Sequence, residues 1–367
     1  MLTPRSLVFL TMIKLITVHH AHGGLHVERT ETHGANRITE PFVEAAFEEY
    51  VTKYNKTYVR GSAEYAKRLG TFRDALIRIE DRNRHRNHSN GALYGLTPYS
   101  DLTPDEFQAL LATFAPAESA QTEVNRAKGN NLQLVQLGAS SKYPPKFDWR
   151  TRSVVTPVRN QRDCGACWAF STVETVETMH ALATGTLTGF SVQQMIDCSN
   201  NSNHGCNGGD TCAALKWLKV NRIKLVEDSV YPFKAITGSC QHPASDVTAE
   251  VADYTCDRLV GNEERMIDMI ANVGPLVVAV DATAWQDYLG GIIQFHCDAG
   301  RNHAVQIVGY DLTGDVPYYI VRNSWGKQFG NDGYLYIAVG KNLCGIAEEV
   351  STVQVKKPPT PVFKNGV

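Results

Sequence analysis

The distribution of cysteine constrains this chain more than any other feature of its sequence. There are nine cysteines, and all of them lie between residues 164 and 344. Cysteines confined to one half of a chain suggest two segments with different tasks. An odd number indicates disulfides together with one thiol that stays reduced. We therefore expect a first unit without cysteine and a disulfide-linked second unit that keeps one reduced thiol.

The overall composition excludes some functions but selects none. At 367 residues the chain is long enough for two or more folding units. Its 36 basic and 38 acidic residues nearly balance, which argues against nucleic acid as a partner, because nucleic-acid binders usually present a basic face. Beyond the N-terminus no stretch approaches roughly 18 consecutive apolar residues, so we expect no stable membrane insertion.

The N-terminus has the pattern of a secretory signal peptide. Arg5 precedes a mostly apolar run over residues 7–18, which small residues follow, and we assign residues 1–23 to this signal. Three Asn-x-Ser/Thr triplets predict glycosylation, and they begin at Asn55, Asn87 and Asn200. Together these features predict passage through the secretory pathway, to the lysosome or to the extracellular space.

Residues 42–90 carry helical patterns. Apolar residues recur with a helical period over residues 42–54. A second set is spaced three or four residues apart and lines one helical face; it consists of Glu64, Arg68, Phe72, Ala75, Ile79 and Asn83. By pattern alone this is an amphipathic helix with no special role. A short extended piece follows, and Thr103-Pro104 predicts the start of another helix.

A linker separates the two units. Residues 113–142 lose periodicity and are rich in Ala, Gln, Asn and Ser. After it, residues 167–180, a segment capped by Ser191 and residues 211–220 predict helices. Beyond residue 250, short β-branched and aromatic runs alternate with Gly and Asn, as in an antiparallel sheet or barrel. We therefore predict an α+β second unit, with a cleft between its helical half and its β half as the natural place for a site.

The pair Cys164-x-x-Cys167 allows three interpretations. A redox pair of the thioredoxin type belongs to a βαβ pattern, which this region lacks. A structural zinc site needs four Cys or His ligands, commonly as two pairs, and only the weak His204-x-Cys206 is available as a second pair. In the third interpretation one cysteine is structural and the other is a nucleophile. This last interpretation has the most support.

The nucleophile interpretation depends on residues that are distant in the sequence. A thiol attacks as thiolate, which a nearby base and a helix N-terminus both favour. Cys167 lies where the predicted helix begins, so its sulfur meets the positive end of the helix dipole. His303 and Asn323 lie 136 and 156 residues further on, in neighbouring candidate strands. There His303 can act as the base and Asn323 can hold its imidazole, while Trp325 covers that bond from water.

The motif C-G-[SA]-C-[WY] at residues 164–168, with His and Asn downstream, resembles a papain-family (clan CA) cysteine peptidase precursor. The resemblance covers nearly the whole chain after the signal. Many relatives have Ser at Ala166, but the motif accepts Ala. The resemblance implies a two-lobe fold with a helical L lobe and an antiparallel β-barrel R lobe. It also implies Cys167 as nucleophile, His303 as general base and acid, Asn323 as its orienting residue, and Gln161 with the Cys167 N–H as the oxyanion hole.

The first unit resembles a cathepsin L-type propeptide. The set from Glu64 to Asn83 matches the ERFNIN helix except at Ala75, where the family has Asn. The companion GNFD strand is matched, with Thr and Tyr substituted, by Gly95, Thr97, Tyr99 and Asp101. The resemblance implies an inhibitory propeptide that runs backwards through the cleft and is removed near residues 135–145. The signal peptide, propeptide, peptidase domain and Pro/Lys-rich tail then span residues 1–23, 24–140, 141–355 and 356–367.

Within the family, four segments of the second unit are most similar to the cathepsin O subfamily: SVQQMIDCS, KLVEDSVYPFKA, DATAWQDYLGGIIQ and YYIVRNSWG. No insertion resembles the occluding loop of cathepsin B, so the resemblance favours endopeptidase activity on peptides and proteins. It implies a monomer without cofactor or metal, inhibited by its own propeptide and by cystatin-type inhibitors.

The resemblance also implies how the cysteines pair. Three disulfides are expected: Cys164–Cys206, Cys198–Cys240 and Cys297–Cys344. With Cys167 reduced, Cys212 and Cys256 are left over. They form either a fourth bridge or two small buried thiols.

The resemblance places a substrate site beside the nucleophile. Gly208 and Gly209 are expected to hydrogen-bond the backbone of P2, the second substrate residue before the bond that is cut. The S2 pocket for the P2 side chain is expected to involve Asp210, Thr211, Ala279, Ala304 and Glu349, with Trp325 as a further substrate-binding residue. Glu349 lies five residues after Cys344, where cathepsin B also has a Glu that accepts Arg. Our hypothesis is that the pocket accepts basic as well as aliphatic P2 side chains. The alternative is that Glu349 points to solvent and the pocket is apolar.

Three functions from different classes are compatible with parts of this pattern. An active peptidase needs Cys167, His303 and Asn323, and all three are present. A catalytically silent binding or scaffold relative usually lacks one of them. A stand-alone propeptide-like inhibitor would lack the second unit, which is present here. The sequence therefore favours an active peptidase.

Overall fold

The structure is a computed structural model, and it describes residues 39–84, 86, 89–111, 143–200, 202–297 and 300–357. The predicted signal peptide, the predicted linker with its cleavage region up to residue 142, Asn87 and residues 358–367 of the predicted tail lie outside these residues.

In the residues that the structure describes, the first unit has three α-helices and one short strand. Their bounds are Glu40–Lys53 for α1, Ala63–Arg84 for α2, Leu93–Tyr94 for β1 and Pro104–Leu110 for α3. The helices α1 and α2 pack against each other around a small aromatic core in which Phe47, Tyr50 and Phe72 have ring centroids 5.0–6.1 Å apart. Burial of these rings is what holds two polar helices together in water.

The residues from Glu64 to Asn83 that line one face of α2, which we call the stripe, do more than cover this core. Phe72 and Ala75 of the stripe are buried. Asn83, at the end of the stripe, donates to the carbonyl of Tyr94 at 2.8 Å and accepts from the Tyr94 N–H at 3.0 Å. One side-chain amide thus satisfies both backbone groups of Tyr94 in β1. The interpretation as an amphipathic helix with no special role is therefore incomplete, because a polar position of the stripe holds the strand.

The start of α3 follows the prediction. The hydroxyl of Thr103 accepts the N–H of Glu106 at 3.1 Å, and the Glu106 carboxylate accepts the N–H of Thr103 at 3.0 Å. This reciprocal cap satisfies two backbone donors that the first turn would otherwise leave open.

Among its described residues, the second unit has four α-helices. They are α4 over Cys167–Thr184, α5 over Val192–Cys198, α6 over Thr211–Val220 and α7 over Glu263–Asn272. The first of them runs four residues beyond its predicted end, to Thr184, and Gly185 with its φ of 78° ends the helix. Ser191 caps α5 as predicted, by accepting the N–H of Gln194. Asp210 caps α6 in the same way, by accepting the N–H of Ala213.

All the strands described in the second unit, except β6, form one large sheet. Their bounds are Lys146–Asp148 (β2), Lys224–Val226 (β3), Thr248–Asp257 (β4), Leu276–Val280 (β5), Tyr288–Gly290 (β6), Ile292–Ile293 (β7), His303–Asp311 (β8), Tyr318–Arg322 (β9), Tyr334–Ala338 (β10) and Val350–Val355 (β11). The order is β3-β4-β11-β5-β8-β9-β10-β7, with β2 paired to β8, and β6 outside this sheet. Every pairing in it is antiparallel except the two-residue pairing of β7 with β10, which is parallel.

The second unit has two hydrophobic cores. One surrounds α4, α5 and α6, which we call the helical lobe. The other lies among α7 and the strands β5 and β7–β10, which we call the β lobe. The strands β4 and β11 link them, because Ala249, Val251 and Val353 belong to the helical core. The predicted α+β fold with a helical half and a β half is confirmed, and α4 packs against β8 where the two lobes meet.

The first unit docks on the β lobe. Its strand β1 pairs antiparallel with β6, with Leu93 opposite Gly290. Three of its apolar side chains, Tyr94, Phe107 and Leu111, belong to the core of the β lobe. The two units therefore share one hydrophobic interface.

Eight of the nine cysteines form disulfides. The structure contains the three bridges that the resemblance implies, Cys164–Cys206, Cys198–Cys240 and Cys297–Cys344. Of the two alternatives for the remaining pair, it contains the fourth bridge, Cys212–Cys256, which ties α6 to β4. Each bridge is expected to add a few kcal/mol by constraining the unfolded chain. Within the described part of the chain, no helix combines the length and apolar character that a membrane crossing requires.

Candidate active site

Cys167 is the one cysteine outside the disulfides, and it is the first residue of α4. Its side chain is fully buried and contacts Ala304 on β8. The N–H groups of a first helical turn point out of the helix end, where they and the helix dipole stabilise negative charge. The fold therefore places this thiol at the junction of the two lobes, in a position that favours the thiolate.

The turn before Cys167 is held tightly. Cys164 is bonded to Cys206, and the N–H of Gly165 donates to the carbonyl of Cys206 at 2.8 Å. A Cβ atom at Gly165 would lie 2.6 Å from that same carbonyl oxygen, so only glycine fits. Of the two cysteines in the C-x-x-C pair, the first is thus a structural anchor for the second.

His303 and Asn323 meet at the ends of neighbouring strands. His303 begins β8 and Asn323 directly follows β9, which pairs antiparallel with β8. The Nε2 atom of His303 lies 2.7 Å from Oδ1 of Asn323. The N–H of Ser324 donates to the same Oδ1 at 2.8 Å, which determines the orientation of the amide. Because Oδ1 only accepts, Nε2 carries the proton.

The tautomer of His303 determines which nitrogen is the base. With the proton on Nε2, the Nδ1 atom carries the lone pair. Nδ1 is buried and has no hydrogen-bond partner among the described residues. It belongs to the residue next to Ala304, which contacts Cys167. The arrangement therefore leaves an unprotonated nitrogen on the residue that precedes the one Cys167 contacts.

Two tryptophans enclose His303. The ring centroid of Trp325 lies 4.6 Å from that of His303, and the Trp285 ring meets it edge-on at 5.9 Å. Burial lowers the pKa of His303 to about 4, against the opposite effect of its hydrogen bond to Asn323. In this form of the protein the imidazole is therefore neutral.

The first unit takes part in this enclosure. The rings of Tyr99 and Phe107 lie 5.6 Å and 5.5 Å from the ring of Trp325, and both meet it edge-on. Trp325 in turn covers His303. The docked first unit thus contributes an outer layer to the apolar cover of the imidazole.

Gln161 lies between the Cys164 turn and the residue after Asn323. Its Nε2 donates to the carbonyl of Cys164 at 2.9 Å, and its Oε1 accepts the hydroxyl of Ser324 at 2.6 Å. These two bonds orient the amide and use one of its two N–H hydrogens. The second hydrogen is left to donate to another acceptor near the N-terminus of α4.

The predicted substrate residues also come together. Ala304 is paired with Ala279 across β8 and β5, and the N–H of Ala279 donates to the carbonyl of Glu349 at 3.2 Å. Glu349 in turn accepts the hydroxyl of Thr211 at 2.9 Å. Gly208, Gly209 and Asp210 directly precede Thr211. A continuous set of contacts therefore joins these residues to Ala304 and through it to Cys167.

The structure bears on only one of the two alternatives stated for Glu349, the one in which it points to solvent. Its side chain is only 3% exposed, so it does not point to solvent. It is not an unpaired carboxylate either, because Nη1 of Arg301 lies 2.6 Å from its Oε2. Burial and the charge of Asp210 raise the pKa of Glu349 to about 7, while Arg301 and Thr211 act in the opposite direction.

Some residues of this site were not identified from the sequence. Ser324, which orients both Asn323 and Gln161, is adjacent to a predicted residue, and that adjacency was its only signal. Trp285 lies in a segment quoted for the subfamily, but the pattern did not place it against His303. Arg301 is two residues before His303 and carried no motif.

The glycosylation sites stay predictions. Asn55 and Asn200 are exposed, which a glycan requires, and Asn87 lies outside the described residues.

Comparison with known proteins agrees with this geometry. A family model described as the papain family cysteine protease matches residues 143–354, more than half of the 367-residue chain. A second model, described as the cathepsin propeptide inhibitor domain (I29), matches residues 47–107. The second match falls on the unit that docks against the β lobe.

Two relatives and one solved structure show the extent of the similarity. Proteins named cathepsin O from Mus musculus and Homo sapiens are 45% and 46% identical to the chain, over 80% and 77% of its length and 92% and 88% of theirs. The structure of digestive procathepsin L2 proteinase from Tenebrio molitor larval midgut superposes with a TM-score of 0.75 at 31% identity, over 85% of this chain and 100% of that one. The family and the subfamily similarity inferred from the motifs are confirmed. The chain therefore belongs to the papain family of cysteine proteases, as a zymogen that carries its own inhibitory propeptide.

Proposed function

We propose that the peptidase domain is a cathepsin O-like endopeptidase that acts through Cys167, His303 and Asn323. The observation that carries this proposal is the 2.7 Å hydrogen bond between His303 and Asn323, because it leaves Nδ1 unprotonated and available as a base for the thiol of Cys167, which contacts the residue after His303. The N-terminus of α4 adds a field that favours the thiolate.

The reaction then runs through an acyl-enzyme. Nδ1 of His303 takes the proton of the Cys167 thiol, and the sulfur attacks the carbonyl carbon of the substrate peptide. The tetrahedral intermediate collapses as its C–N bond breaks, and His303 gives the proton to the leaving amine. Water, deprotonated by His303, attacks the thioester, the C–S bond breaks, and the thiol is restored.

Gln161 and the N–H of Cys167 stabilise the charge that develops on the substrate oxygen. The amide of Gln161 is held by Cys164 and Ser324, so its second hydrogen is oriented before substrate binds. A donor of this kind is worth roughly 3 kcal/mol of barrier in subtilisin. Asn323 contributes by holding the ring of His303 in one tautomer.

The substrates are peptides and proteins. We assign Gly208 and Gly209 to the P2 backbone and the residues around Glu349 to the S2 pocket. A Cβ atom at Gly209 would lie 2.4 Å from Oδ1 of Asn203 and 2.8 Å from the ring of Trp168, so glycine is needed where the chain packs this closely. The four disulfides and the cathepsin relatives suggest the secretory pathway, and we propose the lysosome or the extracellular space as the working compartment, with cystatin-type proteins as inhibitors.

An active-site probe tests the proposed function. The full chain is expressed as precursor, processed, and incubated with a peptidyl epoxysuccinate, which alkylates a reactive thiolate. We expect labelling of the wild type that is lost in Cys167→Ser. Absence of labelling in the processed wild type would overturn the proposal. A peptide blocked at both ends separates endopeptidase from exopeptidase activity, because only an endopeptidase cleaves it.

The proposed boundaries have their own test. N-terminal sequencing of the secreted precursor and of the processed enzyme should give starts near residues 24 and 141. A mature start far outside residues 135–145 would contradict the proposed propeptide boundary.

A further inference from the structure

A buried ion pair lies at one side of the catalytic cysteine. Nη1 of Arg301 is 2.6 Å from Oε2 of Glu349, and their side chains are 17% and 3% exposed. The carboxylate is thus the deeper partner and the guanidinium covers it. Because Arg301 comes from the loop before β8 and Glu349 directly precedes β11, the pair spans two segments of the wall beside Cys167.

Both carboxylate oxygens of Glu349 already have a partner. Its Oε1 accepts the hydroxyl of Thr211 at 2.9 Å, while Oε2 is the partner of Arg301. Asp210 adds a second negative charge nearby, since it raises the pKa of Glu349. Arg301 is therefore a positive charge that offsets part of the negative charge of this wall.

We propose that Arg301 is a specificity-determining residue, because it occupies the carboxylate of Glu349 and so prevents the S2 pocket from offering that carboxylate to a basic P2 side chain. The proposal rests on the proposed endopeptidase function. It revises our hypothesis that Glu349 itself makes the pocket accept Arg at P2. A P2 guanidinium would have to displace Arg301, and the displaced charge would be left beside the site without its partner.

Removal of either partner of the Arg301–Glu349 pair should change the P2 selectivity, and the two removals should act in opposite directions. Without the guanidinium of Arg301, the Glu349 carboxylate can accept a P2 Arg. Without the charge of Glu349, the Arg301 guanidinium can bind the carboxylate of a P2 Glu. A hydrogen bond to a charged group is worth enough to change kcat/KM by roughly tenfold or more.

The test is a set of fluorogenic peptides that differ only at P2, with Leu, Arg or Glu there. They are assayed with enzyme processed from full-length precursor, over a pH range that extends well above 7, because a protonated carboxyl would not attract guanidinium. Burial raises the pKa of Glu349 to about 7 while Arg301 lowers it, so the pKa is higher still in a variant without Arg301. Arg301→Met should raise the Arg/Leu ratio of kcat/KM roughly tenfold. Glu349→Gln should raise the Glu/Leu ratio by a similar factor.

The double variant Arg301→Met/Glu349→Gln should return both ratios close to wild type, since neither charge is left. A matched control is Arg258→Met, which removes the neighbouring pair of Arg258 with Glu348, 2.9 Å apart and 53% exposed on the arginine side. It should leave both ratios unchanged.

The inference fails if Arg301→Met leaves the Arg/Leu ratio unchanged, or if its gain persists in the double variant. Should Arg301→Met not fold, the Glu/Leu ratio of Glu349→Gln decides alone, and an unchanged ratio there rejects the proposal. Hydrolysis of the Leu peptide by wild type supports the proposed function whatever the ratios are. A processed wild type that neither hydrolyses it nor reacts with the epoxysuccinate rejects the proposed function itself.

Discussion

The β lobe has two neighbours, the helical lobe and the propeptide, and it buries charged groups in both interfaces. Against the helical lobe the buried charge is Arg322 on β9, which is fully buried. Against the propeptide it is Asp287, also fully buried, just before β6. The two interfaces differ in where the partners of these charges lie.

The partners of Arg322 belong to the mature enzyme. Its Nη2 lies 3.1 Å from Oε1 of Glu174 on α4, and it donates to the hydroxyl of Thr156 and to the carbonyl of Pro157. Burial raises the pKa of Glu174, and the charge of Arg322 opposes that effect. Arg322 precedes Asn323, and Glu174 lies on the same helix as Cys167. The ion pair therefore also holds the end of β9 against α4.

The partners of Asp287 belong to the propeptide. Its carboxylate accepts from Arg78 at 2.6 Å and 3.1 Å, from Arg82 at 3.2 Å and from the hydroxyl of Ser100 at 3.1 Å. All four hydrogen bonds come from residues 47–107, which match the propeptide model and which we propose are removed on maturation. Water can then take their place, because Asp287 no longer lies under the propeptide.

This difference explains how one lobe can hold one neighbour permanently and release the other. Breaking a buried ion pair is costly when the remaining charge stays buried, and much less so when it becomes hydrated. The lobe interface is of the first kind and the propeptide interface is of the second. Four tests address the contrast.

The largest effect is expected at the lobe interface. Arg322→Met removes the nearer of two cations beside the buried Glu174, since Nε of Arg159 remains 3.6 Å away. The free energy of unfolding should therefore fall by up to about 3–5 kcal/mol, measured by urea denaturation of the processed enzyme. The double variant with Glu174→Gln should recover part of the loss. Arg258→Met, at an exposed pair, should cost no more than about 1 kcal/mol. If Arg322→Met lowered the free energy of unfolding as little as Arg258→Met does, the buried pair between the lobes would be no more important to stability than an exposed one.

The propeptide interface comes next. Arg78→Met/Arg82→Met leaves Asp287 with Ser100 alone, and it should weaken propeptide docking by about 3 kcal/mol. The expected result is processing of the precursor at least about tenfold faster, with kcat/KM of the processed enzyme unchanged because both residues are removed. Arg84→Met, on the same helix but 65% exposed, is the control and should process like wild type. Slow processing of the double variant would contradict the assigned role.

The third test uses pH. Burial lowers the pKa of His303 from 6.5 to about 4, so the unfolded chain takes up this proton first as pH falls. The resulting contribution, up to about 3 kcal/mol, is present above about pH 6.5 and lost as pH falls towards 4. Glu349 has the opposite sign, because its pKa is raised from 4.5 to about 7 and its contribution is lost as pH rises.

Subtracting the stability curve of a His303→Gln precursor from that of wild type isolates the histidine. The processed enzyme should show a smaller difference, because Tyr99 and Phe107 no longer cover Trp325. Equal differences in precursor and processed enzyme would mean that the propeptide does not contribute to the burial of His303.

The smallest effect is expected at the cap of α3. Thr103→Ala removes the hydroxyl that accepts the N–H of Glu106 and should destabilise the propeptide by about 1 kcal/mol. Thermal melting of the precursor should record a slight decrease, with no change in the processed enzyme. Thr52→Ala, an exposed control in the last turn of α1, should have a smaller effect. A change in the processed enzyme would conflict with a role confined to the propeptide.

Local and periodic features were predictable because they depend on neighbouring residues. Thr103 and Ser191 cap helices through atoms three residues away, which the sequence displays directly. The helices of the first unit were predictable from the spacing of Phe72 and Ala75. The two-residue parallel pairing of β7 with β10 was not, because strand pairing depends on contacts between distant segments.

The candidate site divides in the same way. Cys167, His303 and Asn323 were predicted from a motif and two long spacings. Glu349 was named as well, but its partner was not, because Arg301 lies 48 residues away and no spacing rule links them. The ring of Trp285 on His303 likewise depends on how the β lobe folds.

The sequence by itself therefore determined the family, the α+β order of elements and which thiol stays reduced, since motif spacing and cysteine count are properties of the chain. Only the tertiary structure decided the charge state of the site. The neutral imidazole of His303, the Arg301–Glu349 pair and the burial of Asp287 under Arg78 all arise from burial and from charges brought together by folding. Electrostatic interactions depend on distance and on exclusion of water, and neither is encoded by position in the sequence.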